Sequence, residues 1–221
     1  MALNPRQWLI IIAAAVIVIA GGVYLYVNRQ QPVVIETTAP ARPPVNEALM
    51  VAGPLGEQGL GDPNAPNVVI EYASMTCPHC ERFHRDVYPE FKKKYIDTGK
   101  AYFIFREFPL DPLATAAIML ARCAPSDRYF PIVDLLFDKQ SDWAFVSEPK
   151  SALLDLMKQA GFSQDSFDAC LTNQEILDGV TWVHKRASEE FGVDSTPTFF
   201  FNGDKKDGVQ SLEEIDNILG G

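Results

Sequence analysis

Residues 67–80 read NVVIEYASMTCPHC, in which a nearly continuous run of β-forming and apolar residues leads directly into two cysteines separated by two residues. Such a run is typical of a strand that is buried on both faces. Pro78 suits the first turn of a helix, where no backbone amide donor is needed. The stretch therefore predicts a buried strand that is followed at once by a helix beginning at the cysteine pair.

The position of Cys77 at the start of that helix predicts an acidic thiol. Unpaired backbone amides and the positive end of the helix dipole stabilise a thiolate and lower its pKa. A protonated His79 would add positive charge beside the same sulfur. A stabilised thiolate favours the reduced form and is a good leaving group, so a Cys77–Cys80 disulfide would be an oxidant that thiolates of other proteins attack.

The rest of the folded part has an α/β pattern. Residues 101–105 (AYFIF) and 198–201 (TFFF) are two further short apolar runs, and the second ends at the turn signal Asn202-Gly203. Helical spacing of apolar residues occupies Leu113–Cys123, Phe130–Phe137, Lys150–Ala160, Glu175–Phe191 and Leu212–Leu219. Strands that flank a block of helices indicate an α/β fold with an inserted helical domain.

The N-terminal part differs from the rest in composition. Trp8–Val27 is a stretch of 20 residues without a charge and predicts a membrane anchor, with a cleaved signal peptide as the alternative. Residues 28–61 are rich in Pro and Gly and are predicted to be a flexible linker. The folded domain is then expected at residues 62–221, so that a chain beginning near Gly61 should keep its chemistry.

Composition and charge exclude several classes of protein. The chain has 221 residues, of which 47% are hydrophobic, so disorder throughout is excluded. Lys and Arg number 19 against 29 Asp and Glu, a net charge of −10 that argues against nucleic-acid binding. Four cysteines are too few for a small disulfide-built fold.

The cysteine pair has two other interpretations. A copper or zinc carrier could use Cys77, Cys80 and either His79 or His84, but no second CxxC motif is present and a structural zinc needs four ligands. A purely structural disulfide across two residues would be strained. Redox chemistry without a metal or an organic cofactor is the favoured reading.

Three segments resemble DsbA-type thiol–disulfide oxidoreductases and occur in that family's order. They are Gly61–Cys80 (GDPNAPNVVIEYASMTCPHC), Phe105–Leu110 (FREFPL) and Val193–Thr198 (VDSTPT). The resemblance implies a thioredoxin fold interrupted by a helical domain at about residues 111–191, which agrees with the pattern described above.

The resemblance also implies roles for individual residues. Cys77 would be the exposed sulfur that attacks and is attacked, and Cys80 the buried resolving thiol, with Pro78 and His79 between them tuning the pair. Glu71, on the strand before the motif, matches a buried carboxylate that assists proton transfer at Cys80.

A further implication concerns Thr196 and Pro197. Most X–Pro bonds are trans, and the sequence alone would predict a trans bond here. The resemblance predicts a cis bond, with Pro197 packed against the active-site sulfurs. The Thr196 backbone is then expected to pair with an extended substrate chain.

The remaining cysteines, Cys123 and Cys170, fall in the predicted helical insertion. A structural disulfide between them is predicted because an exported protein meets oxidising conditions. Two buried free thiols, which would behave as small apolar residues, are the alternative.

Together these features predict a monomeric oxidase that faces the periplasm and is anchored at the bacterial inner membrane, or is soluble in the periplasm if the N-terminal segment is cleaved. Its substrates would be reduced exported proteins, and the family implies a DsbB-like, quinone-linked membrane partner that reoxidises it. A disulfide isomerase or reductase is the alternative within the same class of enzymes.

Overall fold

The structure is a computed structural model that describes residue 4, residues 22–26 and residues 45–220. The chain divides into two compact units, Met1–Ala39 and Pro40–Gly221. In the first unit, residues 22–26 are helical. Within the described ranges no helix has the length and apolar character needed to cross a bilayer. Most of the predicted anchor, Trp8–Val27, lies outside those ranges.

The second unit is built on a five-stranded mixed sheet in the order β1-β3-β2-β4-β5. The central strand β2 pairs in parallel with β3 and antiparallel with β4, while β1 and β5 pair antiparallel at the two edges. The strands are β1 (Gln58–Leu60), β2 (Asn67–Ala73), β3 (Ala101–Glu107), β4 (Thr198–Phe201) and β5 (Asp204–Asp207). The three predicted strands are therefore present, and the two edge strands are additional.

Helices connect the strands and cover the sheet. After β2 come α1 (Pro78–Asp86), α2 (Tyr88–Phe91) and a π-helical turn (Lys92–Ile96). Between β3 and β4 lie α3 (Pro112–Cys123), α4 (Tyr129–Asp138), α5 (Gln140–Trp143), α6 (Pro149–Gln159), α7 (Gln164–Leu171) and α8 (Gln174–Phe191), and α9 (Leu212–Leu219) follows β5. This arrangement is the thioredoxin-type α/β fold with a helical insertion that the sequence predicts.

Alternation along β2 divides its buried side chains between two hydrophobic cores. Val69 and Ala73 belong to the larger core, whereas Val68, Ile70 and Tyr72 belong to the smaller one. Successive side chains of a strand point to opposite faces. Glu71 therefore shares the face of Val69 and Ala73, which is covered by α1.

The predicted start of the domain at residue 62 is wrong. Residues 45–61, assigned to the flexible linker, include a 3₁₀ turn at Glu47–Met50 and the strand β1. Leu49 is only 2% exposed and packs in the smaller core. The Arg106 guanidinium, 4% exposed, pairs with Glu57 at 2.6 Å and donates to the Leu49 carbonyl at 2.6 Å.

Two further arginines fix this segment by donating to its backbone carbonyls. Arg122 reaches the carbonyls of Leu55 and Gly56, and Arg186 reaches those of Ala48 and Val51. Pro and Gly favour a flexible chain, but backbone carbonyls without a strand partner can be satisfied by donors elsewhere in the fold. The segment is part of the folded domain.

Cys123 and Cys170 form the predicted disulfide, with Cα atoms 5.9 Å apart. It joins the last residue of α3 to α7, whose N-terminus is closed by a capping box at Ser163. The bond therefore holds two helices of the insertion together across a sequence separation of 47 residues.

Replacing both Cys123 and Cys170 by alanine is expected to lower the free energy of unfolding by up to about 4 kcal/mol, the chain-entropy value for a loop of this length. Urea unfolding of the full chain measures the change. Thiol exchange at Cys77 should persist, since that sulfur lies on a different helix. An unfolding free energy equal to that of the parent chain would contradict the expectation.

Candidate active site

Cys77 is the N-cap residue of α1, and Pro78 occupies the first helical turn, as the sequence predicts. The Cys77 sulfur accepts a hydrogen bond from the Cys80 backbone amide at 3.4 Å. In the thiol form it donates to the Thr196 carbonyl oxygen at 3.3 Å. Both cysteines are free thiols in this structure, so it represents the reduced state. Cys77 is only 5% exposed, so the prediction that it is the exposed sulfur of the pair is wrong for this state, in which the Thr196 loop packs against it.

The two thiols lie in contrasting environments. A hydrogen bond from the Cys80 thiol, together with the Thr196 hydroxyl and the backbone amides of Cys80 and His79, lowers the pKa of Cys77 to about 5, against the opposing effect of burial. The Thr196 hydroxyl has no hydrogen-bond partner among the described residues, so it is available to donate to a thiolate. Burial raises the pKa of Cys80, and the charges of Cys77 and Glu71 raise it further. Cys77 is thus the more acidic of the two thiols, and the surroundings of Cys80 favour its protonated form.

His79 contributes in a different way from the one predicted. Its side chain is exposed, and the part of His79 that lowers the pKa of Cys77 is the backbone amide. The predicted effect of imidazole charge is not among the causes of the shift. The hydrogen bond from the Cys80 thiol is the largest cause of the lowered pKa of Cys77, and the amides at the helix N-terminus add to it because they point at the sulfur.

The Thr196–Pro197 peptide bond is cis, as the resemblance predicts. The loop that contains it immediately precedes β4, which pairs with β2 next to the cysteine motif. The loop thereby brings the Thr196 carbonyl to the Cys77 sulfur across 119 residues of sequence.

Sequence reasoning missed two residues of the insertion that hold the active-site loop. The Gln140 side-chain amide is buried and donates to the carbonyls of Met75 and Cys77, at 2.8 and 3.1 Å. Asp111 caps α3 and accepts from the Thr76 hydroxyl at 2.5 Å. Lone polar residues in helical segments carry no signal of such contacts, because the contacts are made across long stretches of sequence.

Glu71 is completely buried and pairs with a residue to which no role was assigned. Its Oε2 atom lies 3.0 Å from His84 Nε2, and the His84 side chain is 3% exposed. Helical spacing offered a signal for this contact, because Cys80 and His84 are four residues apart and so share one face of α1. In sequence analysis His84 was considered only as a metal ligand. The described part of the chain contains no cluster of three or more His, Cys, Asp or Glu side chains arranged to hold a metal ion.

Alkylation of Cys77 by iodoacetamide is expected to follow the thiolate fraction, with a midpoint near pH 5. The folded pKa lies below that of a free cysteine, about 8.5. Ionisation therefore stabilises the reduced protein; this stabilisation grows as pH rises from about 5 toward 8.5 and is lost as pH falls through 5. Mass spectrometry of the alkylated peptide gives the midpoint, and a value near pH 8.5 would contradict the geometry.

Comparisons with known proteins identify the family that this chain resembles. The thioredoxin family model matches residues 55–220. A Rickettsia conorii protein named "Putative protein-disulfide oxidoreductase" is 34% identical over 164 residues, which cover 72% of this chain and 58% of that relative. The chain thus spans little more than half of the length of this curated relative. Disulfide bond formation protein D of Bacillus subtilis is 27% identical over 172 residues, which cover 74% of each protein.

Solved structures show the same similarity. The crystal structure of Wolbachia pipientis alpha-DsbA1 superposes with a TM-score of 0.72 at 32% identity and covers 79% of this chain and 94% of that one. The oxidised BdbD of Bacillus subtilis superposes with a TM-score of 0.66 at 21% identity, covering 82% and 96%, and shows the shared fold alone.

Proposed function

The chain belongs to the DsbA-type thiol–disulfide oxidoreductases of the thioredoxin superfamily, and from this membership we propose that it introduces disulfide bonds into exported proteins through Cys77 and Cys80. The observation that carries the proposal is the contrast between the two thiols: hydrogen bonds lower the pKa of Cys77 to about 5, and burial raises that of Cys80. Stabilising the Cys77 thiolate stabilises the reduced pair, which makes the disulfide an oxidant.

The proposed reaction is an exchange of two electrons without a cofactor. A substrate thiolate attacks Cys77 Sγ, the Cys77–Cys80 bond breaks, and Cys80 leaves as a thiolate that takes up a proton. A second substrate thiolate then attacks the substrate sulfur of the mixed disulfide and forms the substrate disulfide. Cys77 leaves as a thiolate, and its low pKa makes it a good leaving group. The substrate is oxidised and the cysteine pair is reduced.

Thr196 and Pro197 are proposed to form the substrate-binding edge beside Cys77. The Thr196 carbonyl, which the Cys77 thiol engages in the reduced state, would be released when that sulfur joins a disulfide. An extended substrate chain could then donate a backbone amide to it, as in β-strand addition. The exposed Pro78 and His79 would face the same chain.

The cellular setting is proposed from the sequence. Trp8–Val27 would anchor the protein at the bacterial inner membrane with the catalytic domain in the periplasm; cleavage of that segment would leave a soluble periplasmic protein. A DsbB-like membrane partner linked to quinone would reoxidise a monomeric enzyme. No metal or organic cofactor is needed, because the cysteine pair is the redox centre.

The proposal is tested by the equilibrium of Cys77 and Cys80 with a glutathione buffer. The Cys123→Ala/Cys170→Ala variant is used beside the parent chain, so that the structural disulfide does not contribute. We expect the active-site disulfide to be reduced by small amounts of glutathione, and the reduced form to unfold at a higher temperature than the oxidised form. A disulfide that resists reduction, or a reduced form that melts lower, would contradict an oxidase.

A further inference from the structure

Glu71 and His84 form a buried acid–base pair next to the resolving thiol. Glu71 is 0% exposed, and its Oε2 atom is bonded to His84 Nε2 at 3.0 Å. Its other oxygen, Oε1, is buried without a hydrogen-bond partner among the described residues. The Glu71 charge acts on Cys80, which is also 0% exposed. Any proton that Cys80 gains or loses must therefore pass through buried groups.

His84 lies between Glu71 and the solvent-filled groove at the surface. Its Nδ1 atom is buried without a hydrogen-bond partner among the described residues and lies 3.9 Å from Oδ1 of Asp134, whose side chain is 54% exposed. His84 and Asp134 both line a surface groove of about 370 Å³. One imidazole nitrogen thus faces the buried carboxylate and the other faces the groove.

We propose that His84 is a positioning residue that carries protons between Glu71 and the groove at Asp134, and so sets the rate at which Cys80 is protonated and deprotonated. This inference rests on the proposed function, since it concerns the resolving thiol of the same exchange reaction. It adds His84 as a second buried residue beside Glu71, and it identifies the groove at Asp134 as the place where the proton enters or leaves the protein.

The proton balance is simple in both directions. When Cys80 leaves as a thiolate, His84 Nε2 passes a proton to the Glu71 carboxylate at Oε2, and the carboxyl group so formed passes a proton to Cys80. His84 Nδ1 takes one from the groove, and Glu71 returns to its charged form. When the reduced enzyme is reoxidised, Cys80 loses its proton along the reverse path and its thiolate attacks Cys77 Sγ in the mixed disulfide. Electrons move only between the sulfurs.

The surroundings of His84 are aromatic on its inner side and charged in the groove, which is also lined by Glu81, Arg85 and Asp138. Its ring stacks on Phe137 at 4.3 Å and meets the edges of Phe83 and Phe105. The titratable groups that face it are Glu71 from β2, Tyr88 from α2 and Asp134 from α4, and Lys92 of the π-helical turn acts on Asp134. Burial raises the pKa of both Asp134 and Tyr88.

The test follows the step that needs deprotonation of Cys80. The reduced full chain is mixed with oxidised glutathione, and the loss of the Cys77–glutathione mixed disulfide is measured by acid quench and mass spectrometry from pH 4.5 to 8.5. His84→Gln can still donate to Glu71 through its amide but cannot carry a proton. His184→Gln is the matched control, since His184 stacks on Phe108 away from this pair.

We expect His84→Gln to slow resolution by at least about tenfold at neutral pH, a modest share of what acid–base assistance contributes. We also expect its pH profile to flatten, while His184→Gln keeps the parent profile. His84→Ala should be partly rescued by free imidazole entering from the groove. Asp134→Asn removes a negative charge near Nδ1, where the proposed path meets the groove, so it should also change the pH profile of resolution.

The relay is overturned if His84→Gln resolves at the parental rate with the parental pH profile. If His84→Gln does not fold, Asp134→Asn provides the test. The proposed path through His84 is then overturned if Asp134→Asn leaves the pH profile of resolution unchanged. Failure of the proposed function would give a different result. In that case the active-site disulfide of the parent chain would itself resist reduction by glutathione.

Discussion

Replacing Cys77 by alanine is expected to reduce the oxidation of a dithiol peptide to the uncatalysed rate. Cys77 is the only one of the two active-site thiols with a lowered pKa, and it is the sulfur in contact with the Thr196 loop, which is proposed to bind the substrate. Cys80 cannot substitute for it, because it is fully buried and its pKa is raised. The rate is measured by mass spectrometry of the peptide with preoxidised full chain.

Cys80→Ala is the informative companion to that variant. It should keep a reactive Cys77 but lose turnover, because no Cys77–Cys80 disulfide can form to accept the electrons of the peptide. With oxidised glutathione as the oxidant, its Cys77 thiolate should attack the disulfide and release one glutathione thiolate. The Cys77–glutathione mixed disulfide should then accumulate, because Cys80 is absent and cannot resolve it. The Cys123→Ala/Cys170→Ala variant should oxidise the peptide normally, and normal oxidation by Cys77→Ala would contradict the assignment of the nucleophile.

Most of the fold could be predicted because its signals are local. The apolar run of β2, the proline after Cys77 and the helical spacing in the insertion each act over a few residues, and the structure has the corresponding elements. The turn at Asn202-Gly203 also has the positive φ angles that its sequence indicates, 50° and 97°. At these places the secondary structure that the local sequence favours is also the one that tertiary packing requires.

The parts that were missed depend on distant contacts. Strand β5 reads DKKD and has no apolar pattern, yet it forms because the preceding turn directs it back along β4. Strand β1 has only three residues and is defined by its pairing with β3. Neither could be identified from composition, since an edge strand needs a partner rather than a buried face.

The active site was predictable to a similar extent. The motif identifies Cys77 and Cys80, and helical spacing from Cys80 could have identified His84. Gln140 and Asp111 could not have been found, because they reach the active-site loop from the insertion. The resemblance to a family supplied the cis bond before Pro197, which sequence statistics alone would have assigned as trans.

A chain that begins at residue 62 is expected to be much less stable than one that begins at residue 45, contrary to the prediction that truncation near Gly61 leaves the domain intact. The shorter chain loses Leu49 from the smaller core, which costs about 2 kcal/mol, and it loses the edge strand β1. It also leaves the buried Arg106 guanidinium without Glu57, a loss of about 3–5 kcal/mol for a broken buried ion pair. Together these effects approach the whole stability of an ordinary domain, about 5–15 kcal/mol.

Urea unfolding of the two truncated chains and of the full chain measures these effects, and peptide oxidation by each reports the active site. The chain from residue 45 should match the full chain in both assays, because it retains the 3₁₀ turn, β1 and the carbonyls that Arg122 and Arg186 bind. In the full chain, Glu57→Gln isolates the ion pair and should account for part of the loss. Equal stability of the chains from residues 45 and 62 would mean that residues 45–61 pack on the domain without stabilising it, since the arginine contacts would then contribute nothing to the free energy of unfolding.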